Sequence, residues 1–301
     1  MKKLPDKNCN LNELKDFCNV NFIITDIDGT LVKGGDGVIK QINSKIRFNW
    51  GKAFMTVATG RTFFGARKVI EELDIPRGIP LVLYNGSVII AYQTNELLLH
   101  KTIPKYFLKK LENALNLEKE HFLVYTMKLS DKAFGITEDM VVEKVYGIGK
   151  VENGVDVNGL DIEKCKDSND LLISPCSVLI DKSALSRESQ KKVYNVLDHA
   201  EEIAYTDSGN GFVEISRNGV NKGAVFQIIQ EKYPFLIKKS LAIGDNDNDC
   251  ELLKAADIGV AVANGSDDAK QAADYICEHE GAAGVLDVIH TLKNASKYWG
   301  E

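Results

Sequence analysis

Four short apolar, β-branched runs in this 301-residue chain each stop abruptly on Asp, Asn, Thr or Gly, and this pattern constrains the fold most. Residues 21–25 run into Asp26-Ile27-Asp28-Gly29, residues 54–58 into Thr59-Gly60, residues 81–84 into Asn85-Gly86, and residues 241–243 into Gly244-Asp245. A fifth run covers 258–262. After the second run, Phe63, Ala66, Ile70 and Leu73 recur at helical spacing, and that helix has to stop before Pro76 because the residue preceding proline avoids the α region. Continuous apolar strands separated by helices predict a parallel sheet covered on both faces. In such open sheets, ligands bind at the carboxyl ends of the strands, where the polar clusters fall.

The middle of the chain has a different rhythm. From 88 to 216 the apolar runs are 88–91, 97–103, 121–127, 171–180 and 212–215, interrupted by two clear helical patterns over 105–118 and 186–199. Residues 143–170, rich in Gly, Asn and Asp, read as a loop. The expectation is an α/β protein with a Rossmann-like doubly wound parallel core formed by 1–87 and 217–301, carrying an inserted α+β cap at 88–216. The first 20 or so residues read as a short amphipathic helix packed on the core or as a frayed arm.

Lys and Arg number 37 against 43 Asp and Glu, giving a formal charge of −6, which argues against nucleic acid as the partner. No apolar run reaches the ~18 residues of a membrane span, and no apolar segment follows the N-terminal lysines as in a signal peptide. The six cysteines form no CxxC and read as reduced thiols of a cytoplasmic protein, with Cys9–Cys18 a poor candidate for a metal pair.

Chemistry gathers in four places. Asp26 and Asp28 would share one side of an extended chain, where two like charges at the mouth of an apolar sheet want a cation or a proton. The bland reading is a solvated turn. Thr59 and Gly60 precede a helix and suit an anion, or Thr59 is an ordinary N-cap. Lys222 reads as lying in the first turn of a helix containing Val225, Ile228 and Ile229, where the dipole disfavours a cation unless a phosphate is bound. The alternative is a lysine pointing to water. Asp245, Asp247 and Asp249 suggest a hard cation, but not an EF-hand, since Cys250 and Ala256 stand where that loop needs Gly and Glu.

In this order, Asp-Ile-Asp-Gly-Thr-Leu, Ala-Thr-Gly-Arg, Tyr-Asn-Gly-Ser, Glu214-Ile215 before Gly-Val-Asn-Lys-Gly, and Gly-Asp-Asn-Asp-Asn-Asp resemble the motifs of the haloacid-dehalogenase-like (HAD) superfamily, in its Cof-type branch with a large α/β cap. The tail from Val262 to Lys270, followed by Ala273-Asp274-Tyr275-Ile276, fits the same branch, and the resemblance spans about 21–290. It implies a Mg²⁺-dependent phosphatase of small phosphorylated metabolites: sugar phosphates, nucleotides or cofactor phosphates. It implies Asp26 as nucleophile and Asp28 as general acid and base. Mg²⁺ would be held by the carboxylates of Asp26 and Asp245 and the backbone carbonyl of Asp28, with Asp249 bound directly or through water. Thr59, Gly60, Lys222 and Asn248 would hold the phosphoryl group. The insert would be a lid with hinges near 85–86 and 217–219, and Arg61 would either contact substrate or brace that lid. A phosphosugar mutase or phosphotransferase on the same scaffold is the alternative, and a non-catalytic phosphometabolite sensor a more distant one. Nothing in the sequence selects the substrate or the oligomeric state.

Overall fold

A computed structural model describes residues 2–5, 11–33, 37–43, 53–94, 96–130, 141–152, 154–208, 211–235 and 237–298. Cys9 lies outside them. Its central sheet has six strands, all parallel, in the order Lys2–Lys3 (β1), Tyr275–Ile276 (β15), Ile258–Ala261 (β14), Ser240–Gly244 (β13), Phe22–Thr25 (β2) and Phe54–Val57 (β3). β2, β13 and β14 are buried along their whole length, as strands covered on both faces must be, which explains their unbroken apolar sequence. Phe22, Ile23, Ile24, Leu241, Ile243 and Val260 form the heart of one hydrophobic cluster. The N-terminal segment is docked: Leu14, Phe17 and Val20 are buried in the same cluster.

The run at 81–84 does not join that sheet as a further strand. Pro80–Leu83 (β4) pairs antiparallel with Val88–Ala91 (β5), which pairs with Leu97–His100 (β6), and a single parallel bridge from Ala58 to Val82 links this small sheet to the end of β3. The turn Tyr84-Asn85-Gly86 makes the antiparallel return possible. All three residues have positive φ (50°, 54° and 99°), a conformation that side chains other than glycine adopt only under constraint.

The second large sheet has the order Ile203–Ser208 (β11), Phe212–Arg217 (β12), Pro175–Asp181 (β10), His121–Leu129 (β7), Val141–Gly149 (β8) and Ile162–Cys165 (β9). Strand alternation sorts its residues by face. Phe122, Val124, Val178, Ile180, Val213 and Ile215 point to the helices Lys105–Ala114 and Arg187–Asp198 and build a second hydrophobic cluster. Tyr125, Met127, Val145, Cys176 and Leu179, on the opposite face, belong to the first cluster and so pack toward the central sheet. The loop expected over 143–170 is corrected by this sheet, since β8 and β9 occupy much of it. Its glycines misled the reading: Gly147 lies within β8 because a Cβ there would come 2.4 Å from Val151 Cγ2, and Gly149, at φ +100°, ends the strand. Among the described residues no helix is long and apolar enough to cross a membrane.

Candidate active site

The carboxyl ends of β2 and β13 lie side by side, with Thr25 opposite Ile243, and the chain beyond each carries an aspartate. Asp26 is buried at 4% exposure, and its amide still donates to Ile243 O at 2.9 Å. Next, Gly29 turns at φ +80°, where a Cβ would sit 2.1 Å from Asp245 Oδ2. Only glycine lets the two loops approach this closely. Thr30 Oγ1 donates to Asp245 Oδ1 at 2.6 Å, and Asn264 Nδ2 donates to Gly29 O at 3.0 Å.

Lys222 closes the cluster from below. It is 1% exposed, and its ammonium donates to Asp26 Oδ1 at 2.7 Å and Asp249 Oδ1 at 2.6 Å. The expectation that it sits in a helical first turn is corrected: the helix is Ala224–Lys232 with Gly223 as its N-cap, so Lys222 precedes it. Two buried carboxylates, not a dipole argument, account for its position. Asp249 Oδ2 accepts from the amides of Asp245 and Asn246 at 2.9 and 3.0 Å, pinning the 245–249 loop. Asp247 points away and accepts from Ser266 Oγ.

Ligand oxygens of Asp26, Asp245 and Asp249 all lie within 4.8 Å of one another. Three carboxylates face one ammonium, so full ionisation would leave an excess of two negative charges. Burial pushes the Asp26 carboxyl upward, with Lys222 opposing and Asp249 and Asp245 adding to the rise; burial also raises Asp245. A hard oxygen-donor set with uncompensated buried charge fits a divalent cation.

Asp28 turns the other way. Arg61 grips it bidentately with one edge of its guanidinium, Nε to Oδ2 at 2.8 Å and Nη2 to Oδ1 at 2.5 Å, while Nη1 donates to Gly65 O at 3.0 Å. Thr59 is fully buried, and its hydroxyl accepts from the Arg61 amide at 3.1 Å. It is not the helix cap: that helix is Phe63–Glu72, and Thr62 caps it by accepting from Gly65 N. The anion position at this helix N-terminus is taken by a carboxylate of the second sheet. Glu143 of β8 accepts from the amides of Phe63 at 2.7 Å and Phe64 at 2.8 Å and from the Tyr84 hydroxyl at 2.6 Å. Burial raises the Glu143 carboxyl, and these three donors oppose the rise.

Between the sheets lies a cavity of about 650 Å³. Its floor includes Asp26, Asp28, Gly60, Arg61 and Asn248, and its opposite wall includes Tyr125, Asn158, Ser177, Leu179, Phe212 and Glu214. Asn248 Nδ2 donates to Asn85 Oδ1 at 3.0 Å, and Asn85 Nδ2 donates to Glu214 Oε2 at 3.2 Å, tying floor to wall. Asp26, Asp28, Gly60 and Asn248 therefore line one space, whereas Thr59, Lys222 and Asp249 are fully buried. The sequence reading missed Glu143, which lay in the supposed loop, and Tyr125. The signal for Tyr125 was present in the alternation of 121–127, which puts it on the face opposite Phe122 and Val124.

A profile of haloacid dehalogenase-like hydrolases matches residues 23–289. The 5-amino-6-(5-phospho-D-ribitylamino)uracil phosphatase YcsE of Bacillus subtilis is 26% identical over 276 residues, covering 90% of this chain and 95% of that one. Among solved structures, a haloacid dehalogenase-like hydrolase from Bacteroides thetaiotaomicron aligns with a TM-score of 0.66 at 22% identity, over 90% of this chain and 98% of its own. A Thermotoga maritima protein aligns with a TM-score of 0.67 at 18% identity, over 91% and 97%. These two share its fold.

Proposed function

The chain belongs to the haloacid dehalogenase-like hydrolase family, and from that premise we propose that it is a Mg²⁺-dependent phosphatase of small phosphorylated metabolites. The observation that carries this reading is the meeting of Asp26, Asp245, Asp249 and Lys222, from segments far apart in sequence, at the ends of two adjacent parallel strands. The carboxylates of Asp26 and Asp245 and the backbone carbonyl of Asp28 would hold the cation, with Asp249 directly or through water. When bound, Mg²⁺ polarises the phosphoryl oxygens and offsets the carboxylate charge.

The chain's own groups then divide the work. Asp26 Oδ attacks phosphorus, the bond to the leaving oxygen breaks, and an aspartyl-phosphate forms. Asp28 gives the leaving oxygen a proton, then takes one from the water that attacks the aspartyl-phosphate, releasing phosphate and restoring Asp26. To do so Asp28 has to exchange an Arg61 contact for the substrate, so Arg61 is read as the holder of the acid. Lys222 fixes the rotamer of Asp26, and with Thr59, Gly60 and Asn248 it takes up charge developing on the phosphoryl oxygens. The insert, residues 88–216, serves as a lid that excludes water from the first step. The named substrate of the Bacillus subtilis relative, a phosphorylated ribitylaminouracil, belongs to the proposed substrate class.

The test is release of p-nitrophenol from its phosphate ester by purified protein with Mg²⁺. Asp26→Asn is expected to abolish turnover and a chelator to stop it. Turnover that survives either treatment overturns the mechanism.

A further inference from the structure

The wall opposite the aspartates has a chemical character of its own. Tyr125, Ser177, Leu179, Phe212 and Glu214 come from three neighbouring strands, β7, β10 and β12. Register pairs Tyr125 with Ser177 and Leu179 with Glu214, so alternation turns all five to the same face. Among the described residues lining the cavity, Arg61 is the sole basic one, and its guanidinium is spent on Asp28 and Gly65 O. The acidic lining residues are Asp26, Asp28 and Glu214. Glu214 accepts one hydrogen bond, from Asn85. A carboxylate has room for about four, so acceptor capacity remains. Tyr125 is 4% exposed; its hydroxyl makes no hydrogen bond of good geometry, and the side chains of Asp156 and Asn158 lie close enough to act on it. Leu179 and Phe212 supply apolar surface between the polar groups.

Building on the proposed phosphatase reaction, we propose that this wall selects the leaving group, with Glu214 and Tyr125 as specificity-determining residues. The preferred substrates are monophosphates whose remaining part is rich in hydroxyl or amino donors and carries no second negative charge. Such a leaving group satisfies Glu214 and the Tyr125 hydroxyl. A carboxylate or second phosphate meets Glu214 with no free cation to receive it. Asn85 and Asn248 hold Glu214 in register with the floor, so recognition at the wall is tied to the phosphate end.

The experiment compares glucosamine 6-phosphate, glucose 6-phosphate and 6-phosphogluconate, which share a primary phosphate ester and carry an ammonium on a ring, a hydroxyl on a ring and a carboxylate on an open chain. For the wild-type protein with Mg²⁺, kcat/KM is expected to be at least about tenfold lower for the carboxylate than for either other ester, because Glu214 places a further carboxylate in the cavity with no free cation beside it. Glu214→Gln is expected to bring the ammonium and carboxylate esters to within about threefold, the change lying in KM, with Glu214→Asp restoring part of the gap. Tyr125→Phe is expected to raise KM for glucose 6-phosphate more than kcat falls. Equal or faster turnover of 6-phosphogluconate, an unchanged ratio in Glu214→Gln, or hydrolysis of p-nitrophenyl phosphate with none of the hexose esters overturns the assignment of the wall while leaving the reaction standing. Failure of the wild-type protein on the aryl ester as well overturns the reaction itself, and this inference with it.

Discussion

Lys222 is the residue whose removal isolates the electrostatics of the site. Its ammonium is shared by Asp26 and Asp249, and all three groups are buried. Deleting one partner of a buried ionic set costs about 3–5 kcal/mol because the remaining charges stay unpaired. Lys222→Met, which keeps the volume, is therefore expected to lower the unfolding midpoint in chelator, and thermal denaturation measures the drop. Added Mg²⁺ should recover more of the midpoint in this variant than in the wild type, because the cation then meets a larger uncompensated charge. Equal recovery in both proteins would mean that the carboxylates and the ammonium do not share one field.

At the scale of elements, Glu143 couples the second large sheet to the segments that follow β3 and β4. It joins β8 to the first turn of the Phe63–Glu72 helix and to Tyr84. Tyr84 and Asn85 stand in left-handed backbone between β4 and β5, and each side chain bonds a carboxylate of the second sheet. Glu143→Ala leaves two amides and a buried hydroxyl without their acceptor, at about 1–3 kcal/mol for each group that stays dry. Urea titrations should rank stability as wild type, then Glu143→Gln, which keeps one acceptor oxygen, then Glu143→Ala. A Gln variant as weak as the Ala variant would mean that charge, not acceptor geometry, holds the contact. This element level is also where legibility in the sequence divides. Strands β2, β3, β13 and β14 were readable because burial on both faces leaves an unbroken apolar run. β8 was not, because glycines chosen for close approach look like loop glycines. The aspartates after β2 and β13 were readable from their position at strand ends. The Glu143 contact was not, because it depends on how two sheets face each other, and no local pattern records that. The sequence reading places Lys222 in a helical first turn and Thr59 at a helix N-terminus as anion site or cap, whereas Lys222 precedes its helix and Thr62 caps the other.

For the molecule as a whole, the proposed cation, held among the carboxylates between the strand ends, would make stability a function of its concentration. A ligand that binds only the folded state contributes about 2.7 kcal/mol at a hundred times its dissociation constant. Differential scanning calorimetry is expected to show a midpoint that climbs with Mg²⁺ concentration for the wild type and stays flat for a variant lacking both Asp26 and Asp245 carboxylates. A flat response in the wild type would remove the cation from the account. The order of strands has a separate outcome during biosynthesis. β2 needs β13 as its neighbour, pairing Phe22 with Ser240, whereas the strands from β7 to β12 are all in hand once residue 217 has left the ribosome. Since growing chains fold as their segments emerge, the second large sheet has its partners first. One side of β2, apolar and unpaired, waits through more than half of translation for the segment that will complete it, and a nascent chain of this kind is a natural client for holdase chaperones.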